Sequence, residues 1–338
     1  MTEIAVIGCG QWGLNHIRVF SGLKGAHLVE VVDTDPQRLA RVEEQFPGVR
    51  CRQGYTGILE NPQIQAVVVS TPAGQHFSIV KQCLEAGKHV LCEKPLCLHS
   101  SEAHTLDELA RARGLILMVG HVFLFNSGIV KMKELIREGA LGRIYFLAAT
   151  RTNLGPIRND VNAAFDLASH DISIFNWLLE EEPEAVWAVG SAFLQPGIED
   201  AVFITLRYPS KALANIVVSW LSPKKIRQIT IVGSQKMVSW DDLELSTPVT
   251  VYDKGAGASR EYAEYGEFLR ISMWDGDVRM PKVQIEEPLK LQNRSFLQAI
   301  ECGKVERADA VFAAGVVRVL EAVSQAVRGS GVVELTLR

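Results

Sequence analysis

Near its start the chain carries a glycine-rich turn, Gly8-Cys9-Gly10-Gln11-Trp12-Gly13, directly after the apolar run Glu3-Ile4-Ala5-Val6-Ile7 and at the opening of a helical pattern. In a strand–turn–helix context each glycine has a task. Gly8 permits the tight turn, Gly10 lets the backbone approach a pyrophosphate, and Gly13 allows the helix to pack closely on the strand. An anion placed there meets the unpaired amides and positive dipole end of the helix. Gln11 and Trp12 complete the turn's candidate cofactor contacts. Asp33 ends the next strand, 20 residues after Gly13. A carboxylate at that place accepts hydrogen bonds from a ribose diol and repels a 2′-phosphate. This predicts NAD; the alternative, NADP recruited by Arg38, is disfavoured with Asp33 in place.

The rest of the first 121 residues repeats the alternation that such a turn requires. Strand-like runs at 3–8, 27–33, 49–52, 65–71, 88–93 and 115–119 alternate with helical patterns at 13–23, 36–46, 75–86 and 101–113. Leu39, Val42 and Phe46, and likewise Ile79, Cys83 and Ala86, give each helix one apolar stripe. Thr34 or Asp35, and Ser100 or Ser101, are candidate N-caps, and Gly87 and Gly114 candidate C-caps. Ala66-Val67-Val68-Val69 and Val90-Leu91-Cys92 are apolar on both faces, as parallel strands covered by helices must be. We therefore expect an α/β fold, a Rossmann-type doubly wound parallel sheet over residues 1–121.

After Gly120 the pattern changes. A helix at 127–138, strands at 143–152 and a helix at 163–179 precede short alternating strands at 185–194, 200–208, 212–220, 226–233, 236–240 and 248–252. The alternation of Val202, Ile204 and Leu206 with Phe203, Thr205 and Arg207 is that of an antiparallel sheet with one covered face. Residues 253–282 are polar and irregular and receive no assignment. Helices at 290–302 and 309–327 and a strand at 332–337 close an α+β second domain, 122–338, with a large, mainly antiparallel open sheet.

Two features of the first domain's rim point to chemistry. Lys88-His89-Val90-Leu91-Cys92-Glu93-Lys94-Pro95 is a buried strand ending in a charged pair, and Pro95 must stop it. Glu93 and Lys94 are thus delivered to the carboxyl edge of the sheet, where ligands of open α/β folds bind. Thr71 and Pro72 end the preceding strand and suit contact with the middle of the cofactor, although a turn closing in a proline accounts for them equally well. His76 opens the next helix, a cofactor-side candidate kept outside the catalytic set because a histidine there is more often a cap or packing residue.

In the second domain Asp166 and His170 stand four apart on a helix and so share a face. A histidine titrates near neutral pH, as a proton carrier for a hydroxyl must, and a neighbouring carboxylate would hold its ring. Arg151, Asn153 and Asn162, in a loop region with Arg158 and Asp160, supply the hydrogen-bonding groups a sugar or diphosphate needs.

Composition excludes other classes. A net charge of −4 and the lack of a basic patch speak against nucleic acid and anionic membranes. No apolar run approaches the roughly 18 residues of a spanning helix, and no signal peptide precedes the first strand. Six cysteines without metal spacing read as reduced thiols of a cytoplasmic protein, and no metal site is expected.

Taken together, Gly-x-Gly-x-x-Gly, Thr71-Pro72, Ala86-Gly87-Lys88-His89-Val90 followed by Glu93-Lys94-Pro95, and Asp166-x-x-x-His170 resemble the Gfo/Idh/MocA oxidoreductases over nearly the whole chain. The resemblance implies that Lys94 orients substrate and nicotinamide and that His170 exchanges the proton. It also implies a substrate domain whose open sheet is buried between subunits, hence a homodimer or homotetramer. Trp12, Asn15, Gly120-His121 with Phe123-Leu124-Phe125-Asn126, Asn153-Leu154-Gly155 and Asn162 are similar to the branch that oxidises C3 of UDP-N-acetylglucosamine or its uronate. The expected activity is therefore NAD-dependent oxidation of a secondary hydroxyl on a sugar or nucleotide sugar. A free sugar or inositol-type polyol is the alternative substrate. A glycoside hydrolase using NAD without net redox, or a non-catalytic NAD sensor, are the alternative functions.

Overall fold

The computed structural model describes residues 1–263, 266–329 and 331–335. It divides into two units, Met1–Phe125 with Glu286–Glu321 and Asn126–Ile285 with Ala322–Arg338.

In the first unit, β1 (Thr2–Ile7), β2 (Ala26–Val32), β3 (Arg50–Arg52), β4 (Ala66–Val69), β5 (His89–Glu93) and β6 (Leu117–Gly120) form one sheet in the order β3-β2-β1-β4-β5-β6. Every neighbouring pair is parallel. The helices are α1 (Gln11–Ser21), α2 (Pro36–Gln45), a short α3 (Thr56–Glu60) that sequence reading passed over, α4 (Ala73–Glu85) and α5 (Ser100–Ala112). All four residues of β4 are buried, so its unbroken apolar run is the consequence of helices on both faces. Asp35, with Pro36 behind it, caps α2 by accepting from the Gln37 amide at 2.8 Å. At α5 the cap position belongs to His99, without a side-chain cap, and Ser100 is already inside the helix. Gly87 and Gly114 take positive φ just past α4 and α5.

The second pass of the chain through this unit has a physical cause. The Val119 amide donates to the Ala308 carbonyl at 2.8 Å and Met118 bridges to Asp309, so the returning segment covers the open edge of β6. Sequence reading ran the second domain unbroken to residue 338; the structure returns residues 286–321 to the first unit. There α8 (Pro288–Cys302) seats Leu289 against Val19 and Val122. The first turns of α9 (Ala310–Gly329) add Ala310, Ala313, Ala314 and Val317 to the core. That helix is long and apolar enough to cross a membrane, but it is mostly buried and Arg318 and Glu321 interrupt it.

The second unit opens with α6 (Ser127–Arg137) and is built on nine strands. These are β7 (Ile144–Leu154), β8 (Ala185–Ser191), β9 (Ala201–Arg207), β10 (Leu213–Ser219), β11 (Leu221–Gly233), β12 (Met237–Asp241), β13 (Val249–Ala263), β14 (Gly266–Arg279) and β15 (Val332–Glu334). Their order is β14-β13-β12-β11-β7-β10-β9-β8-β15. Only β7 and β10 run parallel; the other pairs are antiparallel. The expected alternation is present: Val202, Ile204 and Leu206 are buried while Phe203 is exposed. The tract 253–282, unassigned from sequence, supplies most of the hairpin β13–β14. Gly255 is required there, because a Cβ would stand 2.3 Å from the Trp274 ring lying across it. The last strand ends at Glu334, and the part of its expected range from 336 onward lies outside the described residues.

Where one helix was expected over 163–179, a π-helical turn, Ala164–Ala168, leads into α7 (Ser169–Leu179). Asp166 lies in the π turn and His170 in the α-helix, so the plain α-helical i, i+4 spacing does not describe the pair.

Candidate active site

The carboxyl ends of β1, β2, β4 and β5 bring the predicted cofactor residues to one edge of the first sheet. Gly8 has φ +93°, and a Cβ on it would lie 2.5 Å from the Ser70 carbonyl oxygen. A Cβ on Gly13 would lie 1.9 Å from the Gly8 carbonyl oxygen. These two contacts admit only glycine and draw α1 against the strand ends. Gly10 caps α1 without a side-chain bond, so no capping side chain occupies the first-turn amides. Trp12 is half-exposed on that turn.

Asp33 is buried beside the cradle. Its Oδ2 accepts from the Cys9 amide at 2.8 Å, its Oδ1 from the Asp35 amide at 2.9 Å, and Arg38 stands 3.6 Å away. Burial pushes its pKa up, but the two amides, the Cys9 thiol and Arg38 outweigh that and leave it below the ordinary carboxylate value. The neighbouring Cys9 thiol is pushed up to about 12, first by burial and then by Asp33, so it stays protonated.

At β4 and β5 the placements are more varied. The Thr71 hydroxyl is buried at the strand end without a partner among the described residues. His76 is buried, with Nδ1 2.8 Å from the Pro95 carbonyl and Nε2 2.8 Å from the Thr71 carbonyl. Glu93 turns inward: His16 of α1 meets its Oε1 at 2.8 Å, and its Oε2 accepts the Lys94 amide at 3.3 Å. A Cβ on Gly120 would press on that carboxylate at 2.9 Å, so β6 must end in glycine. His16 was missed by sequence reading, since a buried histidine on a helix carries no motif. Lys94 stands half-buried at the end of β5.

In the second unit, His170 lies in the first turn of α7 and is buried. Next to it, Asp171 takes a bidentate pair from Arg151, Nε to Oδ2 and Nη2 to Oδ1 at 2.9 Å each. Both side chains are 2% exposed. Arg151, expected to bind substrate, is therefore directed into the protein as the clamp of α7. Asp166 accepts from Arg158 Nη1 at 3.2 Å and from Trp220 Nε1 at 3.0 Å. Arg158 also pairs with Asp160, and this bond, ahead of Asp166, holds its guanidinium above the ordinary value. Asn162 donates to Glu199 at 2.7 Å and accepts the Phe165 amide of the π turn at 3.1 Å. Asn153 donates to the Gly155 carbonyl. Trp220 and Glu199 carried no signal, because both come from strand ends distant in sequence. No His, Cys, Asp or Glu cluster able to hold a metal ion occurs among the described residues.

The first unit's edge fits a dinucleotide. It has a cradle that a Cβ would fill, uncapped helix amides for a diphosphate, an ionised carboxylate for a ribose diol and an unpartnered Thr71 hydroxyl. Comparison with known families agrees. Residues 2–121 match the family model described as oxidoreductase family, NAD-binding Rossmann fold, and residues 129–239 match the GFO/IDH/MocA C-terminal domain. The chain belongs to the Gfo/Idh/MocA family of oxidoreductases. Like that family it is an NAD-binding dehydrogenase acting on CH–OH groups.

Two relatives bracket this Gfo/Idh/MocA chain. Myo-inositol 2-dehydrogenase of Thermotoga maritima is 28% identical over 269 residues, 76% of this chain and 80% of the relative. UDP-N-acetylglucosamine 3-dehydrogenase of Acidithiobacillus ferrooxidans is 29% identical over 256 residues, 75% and 77% of the two chains. Among solved structures, GenD2 from gentamicin A biosynthesis, in complex with NAD, superposes with a TM-score of 0.83 at 25% identity, covering 99% of this chain and 97% of that one.

Proposed function

We propose that this enzyme reversibly oxidises a secondary hydroxyl of a nucleotide sugar, a UDP-N-acetylhexosamine or its uronate, at C3. The observation that carries the reading is the placement of Lys94, an ammonium at the end of β5 on the same sheet edge as the glycine cradle and Asp33. NAD supplies the hydride acceptor, C4 of its nicotinamide. His170 takes the hydroxyl proton as the carbon gives up its hydride. Lys94 stabilises the developing alkoxide electrostatically where water is excluded. Asp166, oriented by Arg158 and Trp220, supports the histidine's end of the site.

The nucleotide-sugar assignment is supported by the 29%-identical UDP-N-acetylglucosamine 3-dehydrogenase and by Asn153-Leu154-Gly155 with Asn162. A second reading, a free cyclic polyol, is favoured by the inositol dehydrogenase relative. A thermal-shift panel of UDP-sugars, dTDP-sugars and inositols with NAD present separates the two, since a ligand that binds the native state raises its Tm. Stabilisation by inositol alone would overturn the nucleotide-sugar reading. Lys94→Ala and His170→Ala should keep NAD binding and lose roughly 10²–10³ in turnover each, read from NADH absorbance. Near-wild-type turnover in either removes that residue from the mechanism. We further propose that the enzyme works as a homo-oligomer, through the exposed apolar stripe of the nine-stranded sheet.

A further inference from the structure

His76 makes two hydrogen bonds that a neutral imidazole cannot make together. Its Nδ1 lies 2.8 Å from the Pro95 carbonyl oxygen and its Nε2 2.8 Å from the Thr71 carbonyl oxygen. A carbonyl oxygen only accepts, so both ring nitrogens must donate. A neutral ring carries one N–H, and its other nitrogen would turn a lone pair on a carbonyl oxygen at hydrogen-bond distance. The ring is 1% exposed, so solvent does not relieve such a clash.

The two carbonyls belong to different loops. Thr71 follows β4 and Pro95 follows β5, and Lys94 is the residue joined to Pro95. From the first turns of α4, His76 thus ties the end of β4 to the segment that presents Lys94. A cation between two carbonyl oxygens is held by both of their negative dipole ends.

We propose that His76 is held as an imidazolium and serves as a positioning residue for Lys94, stapling the β4 and β5 rims together in the geometry the reaction needs. This rests on the catalytic reading of Lys94 given above. The titratable and charged groups on the packed segments are Glu93 and Lys94 at the end of β5, Cys97 and His99 in the following turn, and Glu102, His104, Asp107, Glu108 and Arg111 on α5. On β4 and in the first two turns of α4 only His76 titrates.

The test uses the intact enzyme. Side-chain nitrogen NMR at neutral pH, with and without NAD, should show one histidine with both ring nitrogens protonated, and that signal should vanish in His76→Gln. A neutral His76 ring overturns the proposal. In kinetics, His76→Gln should lower kcat by roughly 10–100-fold through misplacement of Lys94 while KM for NAD changes far less. In a Lys94→Ala background the same substitution should cost nothing further. A full additional loss there, or a loss confined to KM, overturns the positioning role. Should His76→Gln fail to fold, His76→Asn replaces it in both measurements. If Lys94→Ala itself keeps normal turnover, the catalytic reading fails while the imidazolium signal still reports on His76.

Discussion

His121 closes β6 with an imidazole that water does not reach, stacked edge-on against Phe312 at 5.8 Å. Burial, and then the Lys94 charge, push its pKa down to about 3. The folded state therefore holds it neutral across a range where the unfolded chain, near 6.5, binds a proton. Stability from this group is complete above pH 6.5 and is lost as the pH falls toward 3, each unit of displacement being worth about 1.4 kcal/mol. Denaturant unfolding at pH 7 and pH 4.5 should show wild type losing more stability on acidification than His121→Phe. Equal losses would show that the ring takes up its proton inside the fold without penalty. Asp33 illustrates what is readable at this scale, because a carboxylate twenty residues past the glycine turn has one place to go in this fold. Glu93 illustrates the opposite. Its position at a ligand edge was plain, but its orientation toward His16 depends on a helix 77 residues away in sequence.

Among the elements, β7 and α7 are joined by a fully buried ion pair. Arg151 and Asp171 are bidentate and both 2% exposed, so removing one partner leaves an uncompensated charge inside. Asp171→Ala should destabilise the protein by roughly 3–5 kcal/mol, measured by denaturant unfolding. Asp171→Asn, which keeps the shape and part of the hydrogen bonding, should cost less. A loss under about 1 kcal/mol for Asp171→Ala would mean that water or another group takes the arginine's charge. The motif Asp166-x-x-x-His170-Asp171 announced a helix bearing chemistry, and the structure bears out the helix. The π turn that holds Asp166 ahead of α7 has no pattern of its own, and neither has the choice of Asp171 over substrate as the partner of Arg151. The hairpin β13–β14 was illegible for a related reason. Gly255-Ala256-Gly257 has poor strand propensity, and what makes it a strand is cross-strand pairing and the Trp274 ring laid on Gly255.

Across the whole molecule, the nine-stranded sheet carries an exposed apolar stripe among its described residues. Val189, Phe203 and Val217 stand in register on β8, β9 and β10, Phe146 faces Leu213 across β7 and β10, and Val189 and Phe203 are 70% and 55% exposed. An apolar stripe of this kind is the surface through which we propose that copies of the chain associate. The proposed homo-oligomer should therefore run in sedimentation velocity at twice the chain mass or more, and Phe203→Glu with Val189→Glu should reduce it to monomers. A monomeric wild type would overturn the assignment of this face. The parallel strands, the glycine turn and the place of Asp33 followed from local periodicity and from the few backbone conformations a phosphate-binding turn allows, all of which lie within short windows of residues. The return of residues 286–321 to seal β6, the inward turn of Glu93 and Arg151, and the double carbonyl contact of His76 come from segments far apart in the chain. Their partners are chosen by packing and by the need to satisfy buried charge, and no local pattern encodes that choice.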